Sequence, residues 1–233
     1  MPNSSRTILI IGASRGLGCA MAEEYLKRGW SVVGTVRGES RTPLHDLADK
    51  SDGGIQIEKI DITLPDQIAA LRARLAGRTF DVLFVNAGVA NSHPEQTVAQ
   101  VSTDEFVRVM VTNALSPLRV LDALQDLVPP TGVIGVMSSG QGSVTNNTMG
   151  MREVYRGSKA ALNTFMRSFA ARHADSRRAM VLMAPGWVRT DLGGPHAPLT
   201  IEDSVPNLVN VLLDVQGKPG LQYLDYLGRT VPW

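Results

Sequence analysis

Ile8-Leu9-Ile10-Ile11-Gly12-Ala13-Ser14-Arg15-Gly16-Leu17-Gly18 holds a strand, a tight turn and the start of a helix in one stretch. Ile8 to Ile11 is apolar at every position, not at alternate ones, as in a strand covered on both faces. Glycines at 12, 16 and 18 give Gly-x-x-x-Gly-x-Gly, which is not the Gly-x-Gly-x-x-Gly spacing of the usual dinucleotide fingerprint. The physics is shared: glycines let the backbone turn tightly and approach a pyrophosphate, whose charge sits at the N-terminus of the helix. The chain has 22 glycines, so a flexible turn with three incidental glycines would read the same. The position between the first strand and the first helix favours the phosphate cradle.

Outward from this turn, short apolar runs alternate with segments of helical period. The runs are Thr7–Ile11, Ser31–Val36, Ile55–Ile60, Asp81–Asn86, Gly132–Ser138 and Ala179–Ala184, with a weaker one at Leu221–Leu224. Between them the spacing predicts helices near 16–28, 65–76, 103–127, 153–173 and 200–215. Thr63 is expected to cap the second of these, with Pro65 just inside it, and Thr200 with Asp203 suggests a capping box for the last. Such alternation predicts an α/β fold: a doubly wound, Rossmann-type parallel sheet of about seven strands with helices on both faces. The longest unpatterned stretches, Gly140–Arg152 and Trp187–Leu199, follow strands and should rise at the carboxyl edge of the sheet, where ligands of such folds bind.

The 233 residues suit one domain, 1–233, with 43% hydrophobic and 19% charged residues. A formal net charge of +1 offers no bulk field for nucleic acid or an anionic membrane. One cysteine, Cys19, excludes an internal disulfide and a cysteine-based zinc site, and His45, His93, His173 and His196 show no metal spacing. The polar stretch Met1 to Arg6 and the short apolar run after it lack the length of a signal-peptide core or a membrane span. The expectation is a cytoplasmic protein without metal, nucleic-acid or membrane partners. No Gly-x-Ser-x-Gly elbow and no Walker lysine after Gly18 point to hydrolase or NTPase chemistry.

The end of the second strand bears on the cofactor. A site for NAD(H) wants a carboxylate there for the ribose 2′-hydroxyl, whereas this chain offers Val36 and then Arg37. Arg15 and Arg37 could form a guanidinium fork for a 2′-phosphate, which favours NADP(H) and leaves NAD(H) possible. Two solvated arginines would look the same.

Tyr155-Arg156-Gly157-Ser158-Lys159 opens the helix near 153–173. Residues i and i+4 share a helix face, so phenol and ammonium can point into one site. A nearby ammonium and an oxidised nicotinamide would lower the phenol pKa, letting it donate a proton to a carbonyl oxygen or accept one in reverse. Ser138-Ser139 ends the fifth strand, where a hydroxyl could hydrogen-bond a substrate carbonyl. Pro117 cannot supply the amide that would bond the Asn113 carbonyl, which could then hold a water joined to Lys159 or mark a plain kink.

Together these motifs resemble the short-chain dehydrogenase/reductase family over nearly the full length. The matching residues are Gly12 to Gly18, Asp61, Asn86-Ala87-Gly88, Asn113, Ser139, Tyr155 to Lys159 and Pro185-Gly186. Pro185 to Gly194 and the closing Val231-Pro232-Trp233 look like the C-factor and sniffer-like carbonyl reductase branch. The resemblance implies Tyr155 as acid/base, Lys159 as its electrostatic partner and ribose ligand, Ser139 as the serine that positions the carbonyl, and Asn113 as holder of a relay water. It implies cofactor contacts at Gly12, Ser14, Arg15, Gly16, Leu17, Gly18, Arg37, Asp61, Ile62, Asn86, Gly88, Tyr155, Lys159, Val188 and Thr190. The expected substrate is a small carbonyl or alcohol, and a homodimer or homotetramer is the assembly the family suggests. An NAD(H)-dependent alcohol dehydrogenase, or a dinucleotide-sensing protein without turnover, are the competing readings. Two departures stand out: Ile11 where the family has threonine, expected to loosen the contact with the Asn86 loop, and a longer segment Ser143–Met149 ahead of Tyr155, expected to shape the substrate pocket.

Overall fold

In a computed structural model that describes residues 6–233, seven strands form one sheet in the order β3-β2-β1-β4-β5-β6-β7. The strands are β1 (Thr7–Ile11), β2 (Ser31–Val36), β3 (Ile55–Lys59), β4 (Val82–Val85), β5 (Val133–Met137), β6 (Ala179–Ala184) and β7 (Gly220–Asp225). Every neighbouring pair is parallel. The stretch 1–5, most of the polar N-terminus, lies outside the described residues. The helices are α1 (Gly16–Lys27), α2 (Pro43–Asp49), α3 (Pro65–Arg74), α4 (Thr103–Met110), α5 (Ser116–Leu124), α6 (Glu153–Arg172) and α7 (Ile201–Asp214).

The five inner strands are buried on both faces because successive side chains alternate across the sheet, while the edge strands β3 and β7 are partly exposed. Leu9 and Ile11 pack with Leu83, Val85 and residues of α3, α5 and α6 on one side. Ile8 and Ile10 pack with Val82, Phe84 and residues of α1, α2 and α7 on the other. The chain turns from β3 back to β4 beside β1, so the sheet reverses its winding between β1 and β4. The crevice above that reversal is where open α/β sheets receive ligands.

Several local expectations need correction. Helix α2 was not anticipated; Thr42 and His45 form a capping box at its start, with Pro43 inside it, but seven residues are too few to show a period. Leu64, not Thr63, is the N-cap of α3; the Thr63 hydroxyl instead donates to Asp61 Oδ1 at 2.6 Å. The long helix near 103–127 is α4 and α5 joined by a π-helical turn, Val111–Leu115. Pro117 accounts for the turn, since its missing N–H forbids the regular bond to Asn113. Thr200 and Asp203 do form the expected capping box on α7. Among the described residues no helix is long and apolar enough to cross a membrane, and no cluster of His, Cys, Asp or Glu could hold a metal.

Candidate active site

The glycine turn fits tightly against the loop after β4. Gly12 has φ +90°, and a Cβ there would lie 2.8 Å from the Ala87 backbone. A Cβ on Gly18 would lie 2.2 Å from the Gly12 carbonyl oxygen and 2.6 Å from Asn86 Nδ2. Asn86 donates its side-chain amide to that same Gly12 oxygen at 2.7 Å, so helix α1, the turn and the β4 loop share one contact point. At Ile11 the junction is held through the backbone: its carbonyl accepts from the N–H groups of Asn86 and Ala87, and Thr35 Oγ1 accepts from Gly12 N–H at 2.8 Å.

Helix α1 begins at Gly16 with Arg15 as an extended N-cap whose side chain makes no capping bond. The amides of Gly16, Leu17 and Gly18 therefore have no intrahelical partner and sit at the positive end of the helix dipole. A Cβ on Gly16 would lie 4.0 Å from Cγ2 of Thr190, after β6, and Asp191 pairs with Arg15 at 3.3 Å. The loop after β6 thus overhangs the cradle, with Val188 buried beneath it and bridged to Leu199. Arg37 is exposed and takes part in no ion pair among the described residues. Asp61 has one carboxylate oxygen tied to Thr63, and the Ile62 side chain belongs to the core, which leaves its backbone for any ligand.

Tyr155, Lys159 and Ser139 converge beside this cradle. Lys159 Nζ lies 5.8 Å from the centre of the Tyr155 ring and donates to the Met137 carbonyl at 2.9 Å. Burial pushes its ammonium down to about 8. The phenol is held above its usual value by burial, an effect opposed by a hydrogen bond with the Ser139 side chain and by the charge of Arg152. In the chain's own environment desolvation outweighs the hydrogen bond and the Arg152 charge. Of the two serines, Ser138 points inward and donates to Asn163 Oδ1 at 2.6 Å, while Ser139 is half-buried at the rim and accepts from Gln141 N–H at 3.1 Å.

Asn113 is fully buried, and its side chain is engaged in full view of the site. Its Oδ1 accepts from Val89 N–H at 2.8 Å, and its Nδ2 donates to the Val89 carbonyl at 2.7 Å and to Ser158 Oγ at 2.9 Å. The side chain thus clamps the β4 loop to α6. Asn113→Ala should lower stability by about 3 kcal/mol through the polar groups it orphans, and a thermal melt should register about 6–12 °C. A shift under about 2 °C would mean the clamp carries little.

Tyr223 was not anticipated. It comes from the weakest run, yet its buried hydroxyl donates to the Ser139 carbonyl and so braces the rim serine from behind. Only the weaker apolar run Leu221–Leu224 hinted at it, and such a run gives no partner 84 residues away. The segment 144–149 is exposed, with Val144 and Met149 each 72% accessible, and Thr145 is tied to the Trp233 carbonyl.

Residues 6–198 match the short chain dehydrogenase family. A protein described as a short-chain dehydrogenase/reductase from Burkholderia multivorans, crystallised with bound NADP, is 64% identical, covers 98% of this chain and 100% of its own, and superposes with a TM-score of 0.97. The carbonyl reductase Sniffer of D. melanogaster is 29% identical, with 98% and 100% coverage and a TM-score of 0.85. The C-signal of Myxococcus xanthus is 36% identical over 66% of this chain and 92% of its own length. The chain belongs to the short-chain dehydrogenase family of oxidoreductases.

Proposed function

We propose that this protein is an NADP(H)-dependent reductase that converts a small-molecule carbonyl to a secondary alcohol, cofactor and substrate meeting in one domain. The observation that carries the reading is the buried Tyr155 phenol, hydrogen-bonded to Ser139 and next to Lys159, at the edge of the glycine cradle. The cradle fits a dinucleotide: its uncapped helix amides meet a pyrophosphate, and only glycine can occupy 12 and 18. Gly12, Ser14, Arg15, Gly16, Leu17 and Gly18 would hold the pyrophosphate, with Asp61 and Ile62 at the adenine and Asn86 and Gly88 beneath. Val188 and Thr190 would hold the nicotinamide end, and Tyr155 and Lys159 its ribose. When bound, this cofactor supplies the hydride.

The chain's own groups supply the rest. Ser139 Oγ donates to the carbonyl oxygen and fixes it against Tyr155. The phenol passes its proton to that oxygen as charge develops there. Lys159, with a pKa of about 8, is mostly protonated at neutral pH and stabilises the phenolate left behind. Asn113 holds the loop and α6 in register, and as holder of a relay water it would act through its main-chain carbonyl, since its side chain is occupied.

Bound NADP in the Burkholderia multivorans protein and the carbonyl reductase activity named for Sniffer support the cofactor and the direction. The test is fluorescence titration with NADPH and NADH, followed by cofactor oxidation against aldehydes, ketones and diketones. Tight NADPH binding with turnover is expected; tight binding with no turnover on any of them would replace the enzyme with a dinucleotide sensor. Arg37→Asp should weaken NADPH relative to NADH by about tenfold to hundredfold, the worth of a charged hydrogen bond. Equal weakening of both would remove Arg37 as the 2′-phosphate ligand.

A further inference from the structure

Arg152 stands three residues ahead of Tyr155 in a conformation that arginine rarely adopts. Met151 and Arg152 have φ of 51° and 55°, consecutive left-handed residues immediately before α6. Such backbone persists where surroundings enforce it, commonly at functional sites. The turn delivers the guanidinium to the Tyr155 ring, 5.1 Å from its centre, where its charge acts on the phenol.

The guanidinium has no counter-charge. Its Nε is buried and has no hydrogen-bond partner, and Arg152 belongs to no ion pair among the described residues. The neighbouring acid, Glu153, is turned away and accepts from Val98 N–H at 2.7 Å. Gln141, whose N–H donates to Ser139 Oγ, likewise has a buried Oε1 without a donor. Buried polar atoms are ordinarily satisfied, and one left without a partner calls for an explanation. Arg152, against the Tyr155 ring, and Gln141, bonded through its N–H to Ser139, thus each carry a buried polar atom without a partner.

We propose that Arg152 determines substrate specificity by binding a carboxylate carried by the carbonyl substrate, an inference that rests on the reductase reading above. The planar fork of arginine matches a carboxylate with two parallel hydrogen bonds, which would set the carbonyl at a fixed distance from Tyr155. The same charge lies beside the phenol and affects proton transfer to every substrate, so only a comparison between substrates isolates its binding role.

The experiment measures kcat/KM with NADPH for 3- and 4-carboxybenzaldehyde against their methyl esters, in the wild type, Arg152→Met and Arg152→Lys. The wild type should prefer at least one acid over its ester by about tenfold or more, and Arg152→Met should erase that preference while Arg152→Lys keeps part of it. The ratio cancels any loss in folding yield or in proton transfer, and the lysine variant serves if the methionine variant does not fold. A wild type without preference for either acid, or a preference that survives both substitutions, overturns the proposal. A wild type that binds NADPH but reduces neither acids nor esters nor any other carbonyl overturns the reductase reading, and this inference with it.

Discussion

Tyr155→Phe should reduce NADPH-dependent carbonyl turnover by about a hundredfold to ten-thousandfold, the usual worth of a positioned general acid. The ring is 7% exposed and packs in the wall of the site, so phenylalanine preserves its volume and most of its burial. What disappears is the hydroxyl, with its hydrogen bond to Ser139 and its proton. Stability should change by only about 1 kcal/mol, the net worth of one hydrogen bond. NADPH affinity should stay within about a factor of ten, or 1.4 kcal/mol, because the glycine cradle and Arg37 are untouched. Stopped-flow reduction of an active aldehyde, paired with fluorescence titration, separates the two effects. A variant that binds the cofactor and turns over at the wild-type rate would show that the proton comes from another group.

Replacing Gly18 with alanine should have the largest effect of any single methyl addition in the cradle. The new Cβ would sit 2.2 Å from the Gly12 oxygen and 2.6 Å from Asn86 Nδ2, and the first of these is backbone that cannot rotate away. Either α1 withdraws from the β1 turn or the Asn86 loop opens, and both break the 2.7 Å bond between Asn86 and Gly12. Overpacking of this kind costs about 3 kcal/mol, and a chain of this length should lose about 6–12 °C in Tm. NADPH affinity should fall by more than about tenfold, since the amides that face the pyrophosphate move with the helix. Gly157 provides the contrast, because a Cβ there meets nothing within 4 Å and its φ is not positive. In the interior of α6, Gly157→Ala should raise stability by about 0.5–1 kcal/mol. Equal melting temperatures for the two variants would mean that the turn is softer than its contacts indicate.

The parts of this protein that could be read from its sequence are those decided among adjacent residues. Ile8 to Ile11 is apolar without alternation, which dictates a strand with helices on both sides. Gly12, Gly16 and Gly18 sit where a strand must turn into a helix around something close to the backbone. Tyr155 and Lys159 share a face because one helical turn separates them. Period, turn chemistry and i, i+4 spacing act over a few residues, so the string of letters contains them.

What the tertiary structure alone decided involves partners far apart in the chain or a balance of burial against charge. Asn86 reaches Gly12 across 74 residues and Tyr223 reaches Ser139 across 84, and no local pattern encodes either meeting. Asn113 looks from the sequence like a carbonyl freed by Pro117, yet its buried side chain is what holds the β4 loop to α6. The direction of the Tyr155 shift was legible only once its burial was known, because desolvation raises the phenol pKa more than its neighbours lower it. Arg15 turning to Asp191, and Arg152 left without an anion beside the phenol, follow from where two loops come to rest on the sheet edge. Spacing specifies which groups exist and on which element. Packing of the elements against one another fixes which groups meet, and how far from water they do so.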